Sequence, residues 1–468
     1  MTVFAFITYF LILVFIAVLS KLRAKTLGDF LLGSRQMGFI VTALAAHASD
    51  MSSWIFIGFP AQVYTHGLLQ AAVAFGLVFF MFLNWQFIAP RLRRQSEMYN
   101  SYTISSLFES KTSDTSGSIR IVTALISTLF YLVYIAAGMI GLGITLEMIF
   151  HIPYVAGVIL GVVLTVPYLF FGGYITLAWT DLVQGFFLLF VILFVPIYAY
   201  SQAAGQTTVQ FAPRFFDWLP ATQREFGNWL YLFLGWGLGY FGQPHILTKF
   251  MGIREVEHMS KAKWVGISWQ SFALLGSVLI GVVAHVSLKS PVLNSEFIFI
   301  NLVQSLFSTF AATFILCAVL GVTITVTNAQ ILVVSSNFAE DFYKKLFRKA
   351  VSPEKEVKVL RSSFVLVTLM SAVIAAATSG SLFNVVSYAW FGLGASFGPA
   401  LILALYMEKL DKHAVLGGVI TGAFASGVWP FVGAMMGSAI PSIIVGFFCH
   451  FVTFFVISYL KETGRKEA

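Results

Sequence analysis

The sequence predicts an all-α polytopic membrane protein with about 13 transmembrane helices. Of its 468 residues, 58% are hydrophobic and only 10% are charged, whereas an average soluble domain is about 25% charged. Apolar windows long enough to cross about 30 Å of hydrocarbon recur along the whole chain. The basic residues fall in short stretches between these windows, a distribution typical of membrane topology and not of a nucleic-acid-binding surface.

Each predicted crossing is an apolar window of about 20 residues. The windows lie at about 2–20, 37–62, 68–90, 119–149, 153–171, 174–201, 227–247, 263–287, 311–336, 361–379, 381–407, 413–431 and 438–460. The stretch from Phe297 to Phe310 is apolar but too short to cross. Lipid is therefore the main solvent of this chain.

The loops between the windows differ in charge. If the chain crosses the membrane at every window, successive loops lie on alternate sides of it. The loops on one side then hold 25 of the 28 Lys and Arg residues, and the loops on the other side hold Arg214, Arg224 and Lys289. Lys and Arg are enriched in cytoplasmic loops. We therefore predict a cell (inner) membrane protein with its N-terminus outside and its C-terminus in the cytoplasm, and an uncleaved first segment, because no basic residue precedes it.

Two windows contain residues that interrupt helices. The second window holds His47-Ala48-Ser49-Asp50-Met51-Ser52-Ser53, and the seventh holds Gly235-Trp236-Gly237-Leu238-Gly239-Tyr240-Phe241-Gly242-Gln243-Pro244. Gly and Ser weaken helical hydrogen bonding, and Pro lacks a backbone donor. Irregular backbone within a membrane is tolerated only where it lines a cavity. Both helices are therefore predicted to break around a binding site.

The two broken helices are separated in a way that predicts an inverted repeat. They begin five helices apart, and because five is odd, the second group of five enters the membrane from the opposite side. The repeats would be residues 37–203 and 227–407. Residues 1–36 would form an extra helix and loop, 204–226 an extracellular loop, and 408–468 two further helices and a tail. Interrupted helices at corresponding positions of inverted halves are typical of secondary transporters.

Few residues within the windows are able to carry chemistry. Asp50 and Asp181 are the acidic residues well inside them, and each costs about 2.5–3.5 kcal/mol to insert, so a functional role is favoured over a structural one. Oxygen-bearing side chains cluster in the ninth window at Thr323, Thr325 and Asn328. Oxygen atoms suit a hard cation such as sodium, although Ser and Thr also bond to the preceding helical turn.

Aromatic residues and histidines accompany the breaks. Trp54, Trp236 and Tyr240 are placed to cover a bound solute, and Tyr134 either lines the same cavity or packs. His47 and His245 flank the breaks. A neutral imidazole bonded to freed backbone is favoured there over a proton carrier.

Enzyme and metal-site motifs lack their structural context. Gly237 to Gly242 match a dinucleotide fingerprint but follow no strand, and Cys317 and Cys449 match no metal spacing. The protein is therefore predicted not to be an enzyme.

Several stretches match a known family. They are Ala48-Ser49-Asp50-Met51-Ser52 with Trp54, the run from Gly235 to Leu247, Ala178-Trp179-Thr180-Asp181, Ser335-Ser336 with Glu340-Asp341, and Ser387-Tyr388-Ala389-Trp390. Through them the chain resembles the sodium/solute symporter family, most closely its bacterial sodium/proline branch, from about residue 30 to 410. The resemblance implies a thirteen-helix, five-plus-five inverted repeat with sodium bound between the first and eighth core helices.

The resemblance also implies ligands. The implied sodium ligands are the backbone oxygens of Ala48, Met51 and Val322, the Thr325 hydroxyl and the Asp181 carboxylate. The implied solute-site residues are Trp54, Tyr134, Trp236, Tyr240 and Pro244, to which we add Asp50 and Ser52 in the first break. A solute such as proline, sodium and membrane lipid are the predicted partners, and the oligomeric state is left open.

One position departs from the family pattern. The proline branch has Ser-Thr where this chain has Thr325-Val326, so one hydroxyl ligand is missing. Either Asn328 or Thr323 replaces that ligand, or a proton takes the place of sodium, with His47 beside the break. We predict sodium-driven import of proline or a close small amino acid by alternating access. The alternatives are a proton-coupled or weakly sodium-coupled importer of another small solute, such as a carboxylate or sugar acid, and a sensor of the same fold.

Overall fold

The computed structural model describes residues 1–21, 32–203, 211–288, 292–343, 353–378 and 380–467, with side chains described except at 16–21, 167–176, 353–354 and 464–467. The predicted loops at 21–36 and 204–226 therefore lie partly outside the described residues. Within the described residues the regular structure is helical, and the isolated β-bridge pairs Met37 with Ile253. The prediction of an all-α polytopic membrane protein is confirmed.

The first half of the described chain contains eight α-helices. They are α1 (Thr2–Lys21), α2 (Phe39–Ala48), α3 (Gly58–His66), α4 (Ala72–Leu83), α5 (Ala89–Met98), α6 (Ile104–Thr112), α7 (Ser118–Phe150) and α8 (Tyr154–Ala203). Short 3-10 turns lie at Gly33–Arg35, Ser53–Ile55 and Leu68–Ala71, and a π-helical turn at Asn84–Ile88 joins α4 to α5.

The second half of the described chain contains nine more. They are α9 (Gln223–Leu238), α10 (Pro244–Met251), α11 (Met259–Ser287), α12 (Ile298–Leu306), α13 (Thr309–Ser336), α14 (Pro353–Ala377), α15 (Leu382–Tyr406), α16 (Lys412–Met435) and α17 (Ser442–Glu467). 3-10 turns lie at Gly239–Gly242, Val256–His258 and Ser295–Phe297, and a π-helical turn at Asn337–Tyr343 extends α13.

The membrane spans agree with most of the predicted windows. In the part of the chain that is described, nine helices are long and apolar enough to cross a membrane, and the bent pair α2–α3 makes ten. The other three predicted crossings correspond to the shorter apolar helices Thr2–Phe15 and Tyr154–Val166 and to the interrupted segment formed by α9 and α10. The total of thirteen stays a prediction.

The two ends of α8 lie at the same end of the molecule. Gln304 donates to the carbonyl of Met148 at 3.2 Å, just before α8 begins, and the Tyr198 ring, near its end, lies 5.1 Å from that of Phe307. A straight helix of 50 residues would be about 75 Å long. The arrangement is that expected of the two antiparallel crossings predicted for this stretch.

The two interrupted segments run in opposite directions. Before α2, Met37 accepts from the Arg254 amide at 2.9 Å and donates to Gly252 at 3.2 Å, just after α10. After α3, Leu68 donates to the carbonyl of Phe215 at 2.8 Å, in the stretch that leads to α9. An inverted repeat requires this antiparallel relation. We call the end with Met37 the basic end and the end with Phe215 the opposite end.

An ionic cluster lies at the basic end. The Arg120 guanidinium, at the start of α7, donates to Asp341 at 2.5 Å, to Glu340 at 3.1 Å and to Glu109 at 3.3 Å. These four side chains are at most 13% exposed. We call them the arginine cluster. It ties α6, α7 and the π-helical end of α13 together.

Candidate functional site

The first interrupted segment breaks where the sequence predicts. Helix α2 ends at Ala48, and the next helical stretch, starting at Ser53, leaves at an angle of 69°. The Asp50 amide bonds to the carbonyl of His47 at 3.3 Å. Among the described residues, no backbone N–H donates to the carbonyls of Ala48 or Met51, so these oxygens are available to a cation.

The second interrupted segment breaks in the latter half of the stretch that the sequence predicts. Helix α9 continues to Leu238, a 3-10 turn follows, and Gln243 is extended (φ −98°, ψ 97°) before α10 starts at Pro244. A proline suits the first position of a helix. The preceding glycines serve close packing, because a Cβ on Gly239 would lie 1.9 Å from the Trp390 Nε1 atom.

The two breaks meet through Asp50 and Tyr240. The Tyr240 hydroxyl donates to Asp50 Oδ2 at 2.5 Å, a distance typical of a charge-assisted hydrogen bond. The Trp54 indole donates to the backbone oxygen of Asp50 at 2.9 Å. Asn84, on the π-helical turn after α4, donates to the carbonyl of Tyr240 at 3.0 Å. All four residues are buried.

Aromatic rings cover these breaks on the side of the opposite end. Trp54 and Trp236 stack with centroids 5.3 Å apart and an interplanar angle of 25°. Phe383 lies 4.9 Å from the Trp236 ring, and the Trp390 indole donates to the Trp236 carbonyl at 2.9 Å. Such aromatic pairs add about 0.5–1.5 kcal/mol beyond their buried area. We call Trp54, Trp236, Phe383 and Trp390 the aromatic lid.

One face of α7 lines the same region. Tyr134, Gly138 and Gly141 share this face because they are four and seven residues apart. A Cβ on Gly138 would lie 2.3 Å from Thr327 Oγ1, and a Cβ on Gly141 would lie 2.0 Å from Ser53 Oγ. Among the described residues, the hydroxyls of Ser53, Tyr134 and Thr327 are buried without a hydrogen-bond partner. Buried polar groups usually have partners, so this face fits a polar ligand.

One face of α8 joins the predicted sodium ligands. Gln184 accepts a hydrogen bond from the Thr325 hydroxyl at 2.7 Å. At the next residue, a Cβ on Gly185 would lie 3.6 Å from that of Ala48. The first break and α13 therefore both approach the same two residues of α8. Ser52, also buried, directly precedes the 3-10 turn beyond the break.

Asp181 lies on that face but is paired with Lys249, which lies outside the predicted windows and so counts among the 25 basic loop residues of one side. Lys249 Nζ donates to Asp181 Oδ2 at 3.1 Å, and neither side chain is more than 2% exposed. Counting Lys249 with the loop residues is therefore wrong, because it belongs to α10 and is buried. Asp181 Oδ1 has no hydrogen-bond partner among the described residues.

Three predicted ligands share one face of α13. Val322, Thr325 and Asn328 are spaced by three residues and are fully buried. The Asn328 amide has no hydrogen-bond partner on either atom among the described residues. Thr323 bonds back to the Val319 carbonyl at 2.6 Å, the structural role open to hydroxyls in helices. Of the two residues predicted to replace the missing hydroxyl, Thr323 and Asn328, only Asn328 has a side-chain oxygen without a hydrogen-bond partner among the described residues.

Small hollows lie between the breaks and the basic end. Each has a volume of about 20 Å³, roughly the room for one water. Pro244 and Thr248 line one hollow with Thr103, Ser127 and Asn337; the other is lined by His245, Thr248, Lys249, Leu177 and Ser336, among others. Pro244 therefore lies on the basic-end side of the site.

His47 is held as a neutral imidazole. The Trp85 indole donates to His47 Nε2 at 3.0 Å. An indole N–H is a donor only, so Nε2 is an acceptor and the imidazole proton is on Nδ1. This geometry supports the neutral role favoured from the sequence over that of a proton carrier.

Several residues of this site were not predicted from the sequence. They are Asn84, Gln184, Lys249, Gln270 and Trp390. Asn84, Gln184 and Gln270 share one signal, an uncharged amide inside an apolar window, where each polar group needs a partner. The identity of those partners depends on contacts between distant segments.

Known proteins are similar to this chain over most of its length. The family model described as the sodium:solute symporter family matches residues 30–422. The chain is 32% identical to the high-affinity proline transporter of Bacillus subtilis over 94% of both chains. It is 35% identical to sodium/proline symporter 2 of Staphylococcus saprophyticus, over 98% of this chain and 93% of that one.

Solved structures share the fold at low sequence identity. A Na+-coupled sialic acid symporter in a substrate-bound outward-open state has a TM-score of 0.79 at 16% identity, covering 98% of both chains. A nucleobase-cation-symport-1 family transporter in a closed conformation has a TM-score of 0.60 at 12% identity, covering 92% of this chain and 95% of that one.

Proposed function

Because the chain belongs to the sodium:solute symporter family, we propose that it carries proline, or a closely related small amino acid, into the cell together with sodium. Relatives at 31–35% identity over most of their length are named proline transporters or sodium/proline symporters. The observation that carries the proposal is the hydrogen bond between Asp50 and Tyr240, which joins the two breaks. The stacked rings of Trp54 and Trp236 cover this junction.

Proline has three features that the site complements. Its secondary ammonium suits the buried Asp50 carboxylate. Its carboxylate suits hydroxyl donors, and those of Ser53 and Tyr134 are buried without partners in the described chain. Its apolar ring suits the faces of Trp54 and Trp236. These assignments account for a small zwitterion better than for a sugar, which would need many polar partners.

Sodium is assigned to the space between the first break and α13. The carbonyls of Ala48, Met51 and Val322, the Thr325 hydroxyl and the Asn328 amide oxygen would form an all-oxygen ligand set. Asp181 would act from the neighbouring turn of α8, where its charge is shared with Lys249. A cation there would hold α2 against α13 and thereby order the break that binds the solute.

Transport by this site requires two barriers that open in turn. The aromatic lid would close the route from the opposite end, and the arginine cluster with α10 would close the route to the basic end. We assign the basic end to the cytoplasm, the N-terminus to the outside and the C-terminus to the cytoplasm. One charge crossing 100 mV gains about 2.3 kcal/mol, enough for nearly two decades of accumulation at about 1.36 kcal/mol per decade.

The test is uptake of labelled proline into proteoliposomes containing the purified protein. An inward sodium gradient should drive concentrative uptake, unlabelled proline should compete, and a proton gradient without sodium should not replace it. Asp50→Asn should abolish uptake, with Asp217→Asn, on an exposed stretch, as the matched control. Uptake unaffected by sodium but driven by a proton gradient would overturn sodium coupling, and competition only by other solutes would overturn proline.

A further inference from the structure

A buried amide of α11 continues the hydrogen bond between Tyr240 and Asp50. Gln270 Nε2 donates to the Tyr240 hydroxyl at 2.7 Å, and that hydroxyl donates to Asp50 Oδ2. An amide nitrogen only donates hydrogen bonds, and a hydroxyl has a single proton to donate. The tyrosine must therefore give its proton to Asp50 and accept from Gln270, which orients the amide with Nε2 towards Tyr240 and Oε1 away from it.

His47 packs against the same stretch of α11. Gly266, one turn before Gln270, leaves room for the imidazole, because a Cβ there would lie 2.2 Å from His47 Nε2. The ring of Trp269 lies 6.4 Å from that of His47, and the Trp85 indole donates to His47 Nε2 at 3.0 Å. His47 is therefore a packing neighbour of the turn that precedes Gln270.

The hydrogen bonds of this amide run in one direction. Gln270 Oε1 is buried without a hydrogen-bond partner in the described chain, so the amide engages Tyr240 through Nε2 alone. The donor direction therefore runs from Gln270 through Tyr240 to Asp50 without reversal.

We propose that Gln270 is a positioning residue of the solute site, which holds the Tyr240 hydroxyl as a donor to Asp50. It touches neither solute nor sodium. Its effect is to fix the proton of Tyr240, and with it the orientation of the Asp50 carboxyl towards a cationic group of the solute. The solute in this statement rests on the proposed function, and the arrangement of the three side chains does not.

The test measures Gln270→Leu in proteoliposomes, alone and in a Tyr240→Phe background. Alone, Gln270→Leu should raise KM for proline about tenfold, the size expected when support for a buried hydrogen bond is lost, with the maximal rate changed less than twofold. In the Tyr240→Phe background it should have no further effect. Gln95→Leu, which removes a half-buried amide bond to Leu405 at 3.1 Å, is the control and should leave KM unchanged.

A second measurement does not depend on transport. The vibrational bands of a tyrosine report whether its hydroxyl donates only or both donates and accepts. The Gln270→Leu difference spectrum should show a tyrosine that has lost its donor partner, and this signal should vanish with Tyr240→Phe. An unchanged spectrum, or KM effects that persist without the Tyr240 hydroxyl, would overturn the proposal. Absence of proline uptake by the unmodified protein, with the spectral change present, would overturn only the proposed function.

Discussion

Lys249 Nζ and Asp181 Oδ2 lie 3.1 Å apart in the interior of the protein, although the residues are 68 positions apart in the chain. The pair connects the short helix after the second break to α8. Taking an ammonium or a carboxylate out of water costs several kcal/mol, and a close opposite charge offsets much of this cost. The pair therefore stabilises the position of α10 only while both partners are present.

Removing the ammonium alone should destabilise the protein strongly. Lys249→Met leaves the Asp181 carboxylate in an apolar environment, which costs about 3–5 kcal/mol. The double variant Lys249→Met with Asp181→Asn should recover most of this loss. Thermal unfolding of the detergent-solubilised protein measures the effect, with the exposed Lys261→Met as control. A double variant less stable than Lys249→Met alone would contradict the pairing argument.

The missing hydroxyl beside Thr325 offers a gain-of-function prediction. Val326→Thr should lower the sodium concentration for half-maximal uptake about fivefold, because one added oxygen contact contributes about 1 kcal/mol. The measurement is proline uptake as a function of external sodium. Val319→Thr, at another buried position of α13, should leave the value unchanged. An unaltered sodium dependence in Val326→Thr would mean that this position does not face the ion.

The close approach of the second break to Trp390 predicts a steric effect. Gly239→Ala forces a methyl group against the indole, and overpacking of this kind costs about 1–3 kcal/mol. Uptake should fall and the unfolding temperature should decrease. Gly227→Ala is the matched control, because a Cβ there has no neighbour within 4 Å; it should be neutral or slightly stabilising, as alanine favours helix more than glycine does. Equal effects of the two variants would contradict the argument.

Asp114, in the loop between α6 and α7, predicts a pH-dependent contribution to stability. Burial alone would raise the pKa of its carboxyl, but hydrogen bonds from Ser116, the Ile119 amide and Lys412 outweigh burial and hold the pKa below the usual 3.8. A pKa lowered by folding contributes stability above the unfolded value, and this contribution is lost as pH falls.

Asp114→Asn should therefore lower the unfolding temperature at neutral pH by an amount that is constant down to about pH 5 and shrinks below about pH 4. Thermal unfolding across this range is the measurement. Ser110→Ala, in the neighbouring half-buried turn of α6, is the control and should show a pH-independent difference. A deficit of Asp114→Asn that stays constant to pH 3 would contradict the assigned pKa direction.

Much of the fold was predictable because the membrane imposes its own pattern. Apolar length fixes where helices cross, and Asp50 with its serine neighbours marks a break that lipid alone would not tolerate. The position of the second break was less predictable. Gly235 and Gly237 suggested unwinding, but both stay helical, since a missing Cβ serves close packing as readily as it weakens a helix.

The sequence did not predict which residues contact each other within the candidate site. Lys249 was assigned to a loop because charged residues are usually exposed to solvent. Its partner on α8, Asp181, comes close to it only in the folded protein. Gln270 looked like an ordinary polar residue of an apolar helix. Both depend on contacts between segments far apart in the chain, which no local pattern encodes.

The backbone bonds between Met37 and Gly252 at one end and between Leu68 and Phe215 at the other have a mechanical consequence. Two segments that are hydrogen-bonded to each other near both ends cannot move as independent rigid bodies without breaking these bonds. Bending is then concentrated at mid-length, at residues 49–52 and 239–243, where the backbone is not α-helical. The same few peptide units to which we assign solute binding would thus also act as hinges, so a ligand that stiffens them would control the rate of the conformational change.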